Sequence, residues 1–425
     1  AATCIPLGSA GFQGRRTRPE SLNLTNQPMP LLNLKARLLL AVAASLPFVS
    51  VLAAAPAAKL NVLFIAIDDL RDNLGCYGNP VVKTPHIDRL AARAVRFDRA
   101  YVQYTVCNPS RSSFLAGLRP DQTGVTTNTT MLRHKLPAVV TLPQLFKESG
   151  WHAAAYGKIF HLGGGRNPEL RSQWMDLPKS WHTAASFEAT AAGRTKLAGR
   201  DLTAGALTWC HWGMMAGSDD DQPDGQIARA VTATIERLGA NPWFIGAGFM
   251  KPHDPFVAPR KYFDLYPENS LPLYRDPAGI TAAPPLAVGF GALGTAFGKF
   301  TDRERQEFQR AYYACTSFMD AQVGRVLAAL DRLNLWDRTI VVLLGDHGYH
   351  LGERNWWNKN TLFERSCRAP LLIAVPGHQP GIARGLVEFV DLYPTLADFA
   401  GLTPPAHLAR QSLRPQLAHP SAPGK

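Results

Sequence analysis

Hydrophobic residues fall in four uninterrupted runs along this chain: "LNVLFIAI" (60–67), "PWFIGAGF" (242–249), "TIVVLLG" (339–345) and "APLLIAVPG" (369–377). Continuous apolar runs of this length, without alternation, mark strands buried on both faces of a sheet covered by helices. Between them the period changes to that of helices. Thr84-Pro85 opens "TPHIDRLAARA", and Thr141 opens "TLPQLFKESG", which Gly150 closes. Gln226 to Leu238 is amphipathic, Arg303 to Leu333 is periodic throughout, and Asp391 to Ala400 gives a last helix. A short strand is expected near His152 to Tyr156. Residues 163–222 are rich in glycine and tryptophan and aperiodic, so long loops are expected there. Strands alternating with helices predict an α/β domain with a mostly parallel central sheet flanked by helices.

The polar residues that interrupt this pattern gather at strand ends, where open α/β sheets build their sites. Asp68-Asp69 ends the first run, Lys251 and His253 follow the second, and Asp346-His347 ends the third. Adjacent aspartates repel without a cation. Three carboxylates with one histidine suit a hard divalent ion held mainly by oxygen, with calcium the first choice. Histidine is an unusual calcium ligand, so manganese and magnesium stay open. Lys158 and His161 stand three apart in "GKIFH", and Lys359 lies in "WWNKN". Singly, each could be surface charge. Jointly, in loops after buried strands, they form a cationic pocket for sulfate or phosphate.

One further stretch, "TVCNPSRSSFLAG" (105–117), reads as a short helix over Ser110 to Ala116. Asn108 is the expected N-cap, Pro109 the first helical residue and Gly117 the stop. Cys107 then lies just outside a helix N-terminus, with Arg111 pointing back at the same end. A small reactive group beside an anion-favouring site has the geometry of a nucleophile. A buried cysteine on a capped helix is the plainer alternative.

Composition adds compartment and partners. The chain has 425 residues, 46% hydrophobic and 18% charged, ample for one large core. Residues 29–58 read as a signal peptide: Lys35 and Arg37 form a basic start, Leu38 to Leu52 an apolar run too short to span a bilayer, and the alanines after it a cleavage region. Residues 1–28 read as an upstream non-structural segment, 59–402 as the catalytic domain and 403–425 as a truncated C-terminal tail with a frayed end. The protein is therefore expected to be exported, periplasmic or secreted, without stable membrane insertion. The formal net charge of +12 becomes +8 once Arg15, Arg16, Arg18, Lys35, Arg37 and Glu20 leave with residues 1–58. That suits an anionic partner such as an acidic polysaccharide. No Lys/Arg run carries interleaved aromatics, which argues against nucleic acid. Without the leader, five cysteines remain (Cys76, Cys107, Cys210, Cys315 and Cys367) with no CxxC spacing. The odd count flags at least one thiol outside any structural pair.

The motifs together resemble those of the type I sulfatases. "CNPSRSSFLAG" resembles their C-x-P-x-R signature, and "VLFIAIDDLRDNLGCYG", "TPHIDRLA", "GKIFH", "KPHDPF" and "GDHGYHLGERNWWNKN" follow in family order. The resemblance covers roughly Leu60 to Leu402 and is closest to the iduronate-2-sulfatase-like branch. It implies an alkaline phosphatase-like sandwich. It also implies that Cys107 is a precursor, converted by a formylglycine-generating maturation enzyme to 3-oxoalanine (formylglycine). Hydrated, that aldehyde would offer one hydroxyl to attack sulfur and a second to expel sulfate afterwards, which a serine could not do. By position, Asp68, Asp69, Asp346 and His347 would hold one metal ion per chain, with residue 107 completing the shell. Arg111 and Lys158 would stabilise the ionised nucleophile, and His161 would serve as base for sulfate release. His253 and Lys359 would grip the sulfate and protonate the leaving oxygen, while Lys251 would shape its loop. Family members usually continue past "SLRPQL" into a small antiparallel sheet, so a truncated or reduced C-terminal subdomain is expected.

The function implied is hydrolysis of sulfate esters on an exported sulfated glycan, a glycosaminoglycan or similar polysaccharide undergoing degradation. Two alternatives stand beside it: a phosphoester or phosphonate-ester hydrolase on the same fold, and an inactive protein that binds sulfated polysaccharide.

Overall fold

A computed structural model of the chain describes residues 59–276, 283–288, 292–406, 408 and 411–425. The expected upstream segment and signal peptide, 1–58, lie outside the described residues.

The first strand, β1 (Asn61–Ile67), is buried along its whole length, as its unbroken apolar run requires. It sits inside an eight-stranded sheet with β2 (Val95–Phe97), β3 (His152–Gly157), β4 (Thr183–Ala185), β7 (Trp243–Phe249), β9 (Thr339–Gly345), β10 (Leu371–Ala374) and β11 (Gly381–Ala383). The order is β11-β2-β10-β9-β1-β7-β3-β4. The five strands from β9 to β4 run parallel, whereas β10 is antiparallel to both its neighbours. The sheet is thus mostly parallel, as expected.

Side chains of β1 alternate between two apolar layers. Val62, Phe64 and Ala66 pack with Phe114, Phe146, Phe244 and Leu396. That layer lies under α2 (Cys107–Ala116), α3 (Leu142–Glu148) and α6 (Leu392–Phe399). Leu63, Ile65 and Ile67 pack on the other face with Ile87, Ile227, Ile235, Met319 and Val323. These come from α1 (Pro85–Ala91), α4 (Pro223–Leu238) and the 31-residue α5 (Asp302–Arg332). Helices on both faces leave the strand ends as the one place where polar groups can converge.

Two expectations are corrected. Residues 163–222 are not uniform loop. They contain a helix, Pro168–Trp174, the edge strand β4, and two strands, β5 (Lys196–Ala198) and β6 (Trp212–Met215). With β8 (Phe256–Pro259) these two build a second, three-stranded sheet over an aromatic cluster that includes Trp212, Phe256, Phe308 and Tyr312. Segments of three or four residues carry too little period to be read from sequence. The frayed end is also wrong. The α7 turn (Arg414–Ala418) buries Leu413 and Leu417 under α6, and Lys425 Nζ lies 2.6 Å from both Asp391 Oδ1 and Glu388 Oε2. All five described cysteines are free, among them the unpaired thiol that the odd count flags.

Candidate active site

Strand register assembles the site. Ile67 lies opposite Gly345 on β9 and Phe249 on β7, and Gly157 lies opposite Gly248. The next residue of each parallel strand therefore emerges at the same sheet edge. Backbone bonds carry the ladder one step further: Asp68 N donates to Phe249 O (3.1 Å), Asp346 N to Ile67 O (3.0 Å) and Lys158 N to Gly248 O (2.8 Å). The approach of the last pair depends on glycine. A Cβ on Gly248 would stand 2.3 Å from the Lys158 carbonyl carbon.

Helix α2 delivers the nucleophile candidate and its arginine. Cys107 is the first helical residue rather than a residue outside the helix, and Val106, not Asn108, is the N-cap. The Asn108 side chain is occupied elsewhere, donating to Thr127 O (2.8 Å) and Thr130 O (2.7 Å). All ten residues of α2 are buried, so no polar face marks the helix boundary in sequence. Gly117 is left-handed, as expected of the stop.

Three buried carboxylates face three buried cations. Arg111 Nε donates to Asp346 Oδ2 (2.9 Å) and Nη2 to Asp68 Oδ1 (3.3 Å). Lys158 Nζ lies 2.5 Å from Asp68 Oδ2. Lys359 Nζ donates to Asp69 Oδ1 and lies 3.2 Å from Cys107 Sγ. His347 Nε2 is 3.3 Å from Cys107 Sγ, 3.4 Å from Asp69 Oδ1 and 3.6 Å from Asp346 Oδ1. His253 Nε2 is 3.9 Å from both Asp68 Oδ2 and Asp69 Oδ2. The His253 side chain is 26% exposed, whereas those of Lys158 and Lys359 are 5% and 9%. The site therefore opens past His253.

Burial and these charges set the electrostatics. Burial by itself raises the Asp68 carboxyl, but Lys158, His253, Arg111 and Lys359 outweigh it and hold it well below the usual range. Burial, reinforced by Asp68, pushes the Cys107 thiol up. The thiol itself is thus kept protonated.

Two clusters have the geometry of a cation site. Asp68, Asp69, Cys107 and His253 bring ligand atoms within 4.8 Å of one another, and so do Cys107, Asp346 and His347. Asp69 Oδ2 is buried with no hydrogen-bonding partner among the described residues. A carboxylate oxygen left bare in a buried site is costly unless a cation meets it. The oxygen-rich donors fit a hard divalent ion.

The structure thus brings Asp68, Asp69, Cys107, Arg111, Lys158, His253, Asp346, His347 and Lys359 together. His161 sits at the margin. Its ring packs edge-on to Trp174 at 5.7 Å, and it lines a small cavity with Asn108 and Ser112. Burial, then Lys158, pushes it down to about 2, so it is neutral at neutral pH. Lys251 reaches back to its own loop, donating to His253 O (2.8 Å) and Pro255 O (2.6 Å).

Sequence reasoning missed the residues that support this set. Buried Asp224 takes the amides of Met250 (2.8 Å) and Lys251 (2.9 Å) and so anchors the His253 loop. His350 N donates to Asn358 O (2.9 Å), and its Nε2 lies 2.8 Å from Thr361 Oγ1, bracketing Lys359. Only His350, within the "GDHGYHLGE" run, had a local signal.

Comparison with known proteins identifies the family. The sulfatase family model matches residues 60–402. Iduronate 2-sulfatase of Mus musculus is 33% identical over 404 residues, covering 84% of this chain and 72% of the relative. A protein named sulfatase from Formosa agariphila is 35% identical over 386 residues, with the same two coverages of 84% and 72%. Among solved structures, a phosphonate monoester hydrolase from Silicibacter pomeroyi superposes with a TM-score of 0.69 at 26% identity, covering 85% of this chain and 77% of its own. The fold is the alkaline phosphatase-like α/β arrangement that the motifs implied, and the chain belongs to the sulfatase family, on its iduronate-2-sulfatase-like branch, as a sulfuric ester hydrolase.

Proposed function

We propose that this chain removes sulfate from a sulfated glycan, a glycosaminoglycan or similar polysaccharide, using formylglycine made from Cys107 and one divalent cation, calcium by preference. The observation that carries the reading is the convergence on Cys107 of Lys359, His347 and Asp69, at 3.2, 3.3 and 3.9 Å. Likeness to proteins named iduronate 2-sulfatase supports a sugar substrate.

Asp68, Asp69, Asp346 and His347 would hold the cation, with residue 107 at the same centre. When bound, it supplies Lewis-acid polarisation and offsets the carboxylate charge. Formylglycine supplies an aldehyde carbon that water turns into a two-hydroxyl nucleophile. Arg111 and Lys158 hold negative charge that develops at residue 107. Lys359 and His253 bind the sulfate oxygens, and His253, on the open side, gives its proton to the leaving alcohol oxygen. His161, neutral by burial, is the base assigned to sulfate release, a role that needs the negative charge of bound sulfate to offset the burial and Lys158 that hold its pKa down.

In the cell we place the protein outside the cytoplasm, periplasmic or secreted, after a maturation enzyme has acted on Cys107, with no nucleic-acid partner. Among the described residues no helix is long and apolar enough to cross a membrane.

A second reading, phosphoester or phosphonate-ester hydrolysis, draws on the likeness to the phosphonate monoester hydrolase. One experiment separates the two. Protein produced with the maturation enzyme is assayed on matched aryl sulfate and aryl phosphate esters, then on defined sulfated oligosaccharides. The sulfate ester is expected to have the larger kcat/KM; a larger value for phosphate would replace the first reading with the second.

A further inference from the structure

We propose that Tyr312, in the middle of α5, is a positioning residue for the cation site: its hydroxyl holds Asp69 in the backbone conformation that aims its carboxylate inward. This rests on the reading of Asp69 as a metal ligand.

Asp69 has φ 61°, the left-handed region that side-chain-bearing residues rarely adopt. A non-glycine residue persists there only when its surroundings over-determine it. Here both of its backbone polar groups are claimed by side chains from distant elements. Its amide donates to Asp346 Oδ1 (3.0 Å). Its carbonyl accepts from Tyr312 Oη (2.7 Å), and the same hydroxyl accepts from the Arg71 amide (3.0 Å). Tyr312 thus bridges the peptides on both sides of Leu70 and uses its single donor and one acceptor site fully.

The phenol is itself immobile. Tyr312 is 1% exposed, and its ring stacks on Tyr349 at 5.4 Å with 26° between planes. Tyr349 provides a matched control, because its own hydroxyl is buried with no hydrogen-bonding partner among the described residues. Two stacked tyrosines therefore differ in whether the hydroxyl touches the metal-ligand backbone. Without the Tyr312 hydroxyl, the Asp69 carbonyl and Arg71 amide lose this partner and the turn can relax out of the left-handed region. Outer contacts of this kind typically set metal affinity by tenfold or more.

The test titrates calcium chloride into chelator-treated wild type, Tyr312→Phe and Tyr349→Phe, reading affinity by calorimetry and the calcium-induced rise in Tm. Tyr312→Phe is expected to bind calcium about tenfold or more weakly than wild type. Its lost turnover should return at high calcium, and Tyr349→Phe should match wild type. Equal affinity in Tyr312→Phe and wild type overturns the proposal. Equal weakening in both variants does so too, since it marks a packing effect. A wild type that binds no calcium, magnesium or manganese overturns the metal reading beneath it. Should Tyr312→Phe not fold, amide exchange at Arg71 in wild type decides: calcium is expected to slow it, and a rate indifferent to calcium overturns the proposal.

Discussion

Lys359 Nζ lies 3.2 Å from Cys107 Sγ, although 252 positions separate the two residues in the chain. The same ammonium donates to Asp69 Oδ1. In the proposed mechanism a fixed cation at this point would serve both the ground-state carboxylate and charge arriving with the sulfate ester. Lys359→Ala is expected to lower kcat about 100-fold while leaving the circular dichroism spectrum unchanged. A kcat within twofold of wild type would remove Lys359 from the catalytic set.

Cys107→Ala tests the nucleophile apart from the cation. Asp68, Asp69, Asp346 and His347 remain in place, so calorimetry should still detect metal, more weakly than in the parent. Aryl sulfate turnover should vanish. Mass spectrometry of the peptide carrying residue 107 should show the aldehyde in matured wild type. An unmodified thiol in fully active protein would contradict the formylglycine reading.

Gly248→Ala probes how the sheet places Lys158. The new methyl would stand 2.3 Å from the Lys158 carbonyl carbon, so the backbone must shift. Overpacking of this kind costs about 1–3 kcal/mol. Because Lys158 Nζ must reach Asp68, kcat should fall more than the loss of stability alone explains. Denaturant melts and steady-state kinetics on the same preparation check both.

Glu353 predicts a pH dependence. Burial alone would raise its carboxyl, but Arg71, at 2.8 Å, outweighs burial and holds it at about 2. An unfolded chain returns it to roughly 4.3. The native pKa is the depressed one, so this contribution is present above the unfolded value and is lost as pH falls towards the native one. Its size is about 3 kcal/mol. Glu353→Gln should therefore be less stable than wild type at pH 7, and the gap should narrow as the pH is lowered below about 4. Paired denaturation curves would show this; a gap constant with pH would sink it.

The fold was legible where period and burial coincide. The runs at 60–67 and 339–345 became β1 and β9, and the periodic stretch from Arg303 became α5 within a residue or two. The residues that converge at the candidate site were legible because strand ends carry them in recognisable motifs. The start of α2 was misread because a fully buried helix shows no polar face, and Asn108 spends its side chain on Thr127 and Thr130. Residues 163–222 were unreadable because their elements are as short as three residues and are stabilised by distant partners.

By itself, the sequence determined which residues are chemically able to act and which segments must be buried, since side-chain chemistry and hydrophobic period are local properties. Only the tertiary structure decided that Asp68, Asp346 and Cys107 share one buried centre, that Asp69 Oδ2 has no hydrogen-bonding partner among the described residues, and that a tyrosine on α5 hydrogen-bonds the Asp69 carbonyl. Those facts depend on strand register and on the depth of burial, which are set by contacts between residues hundreds of positions apart.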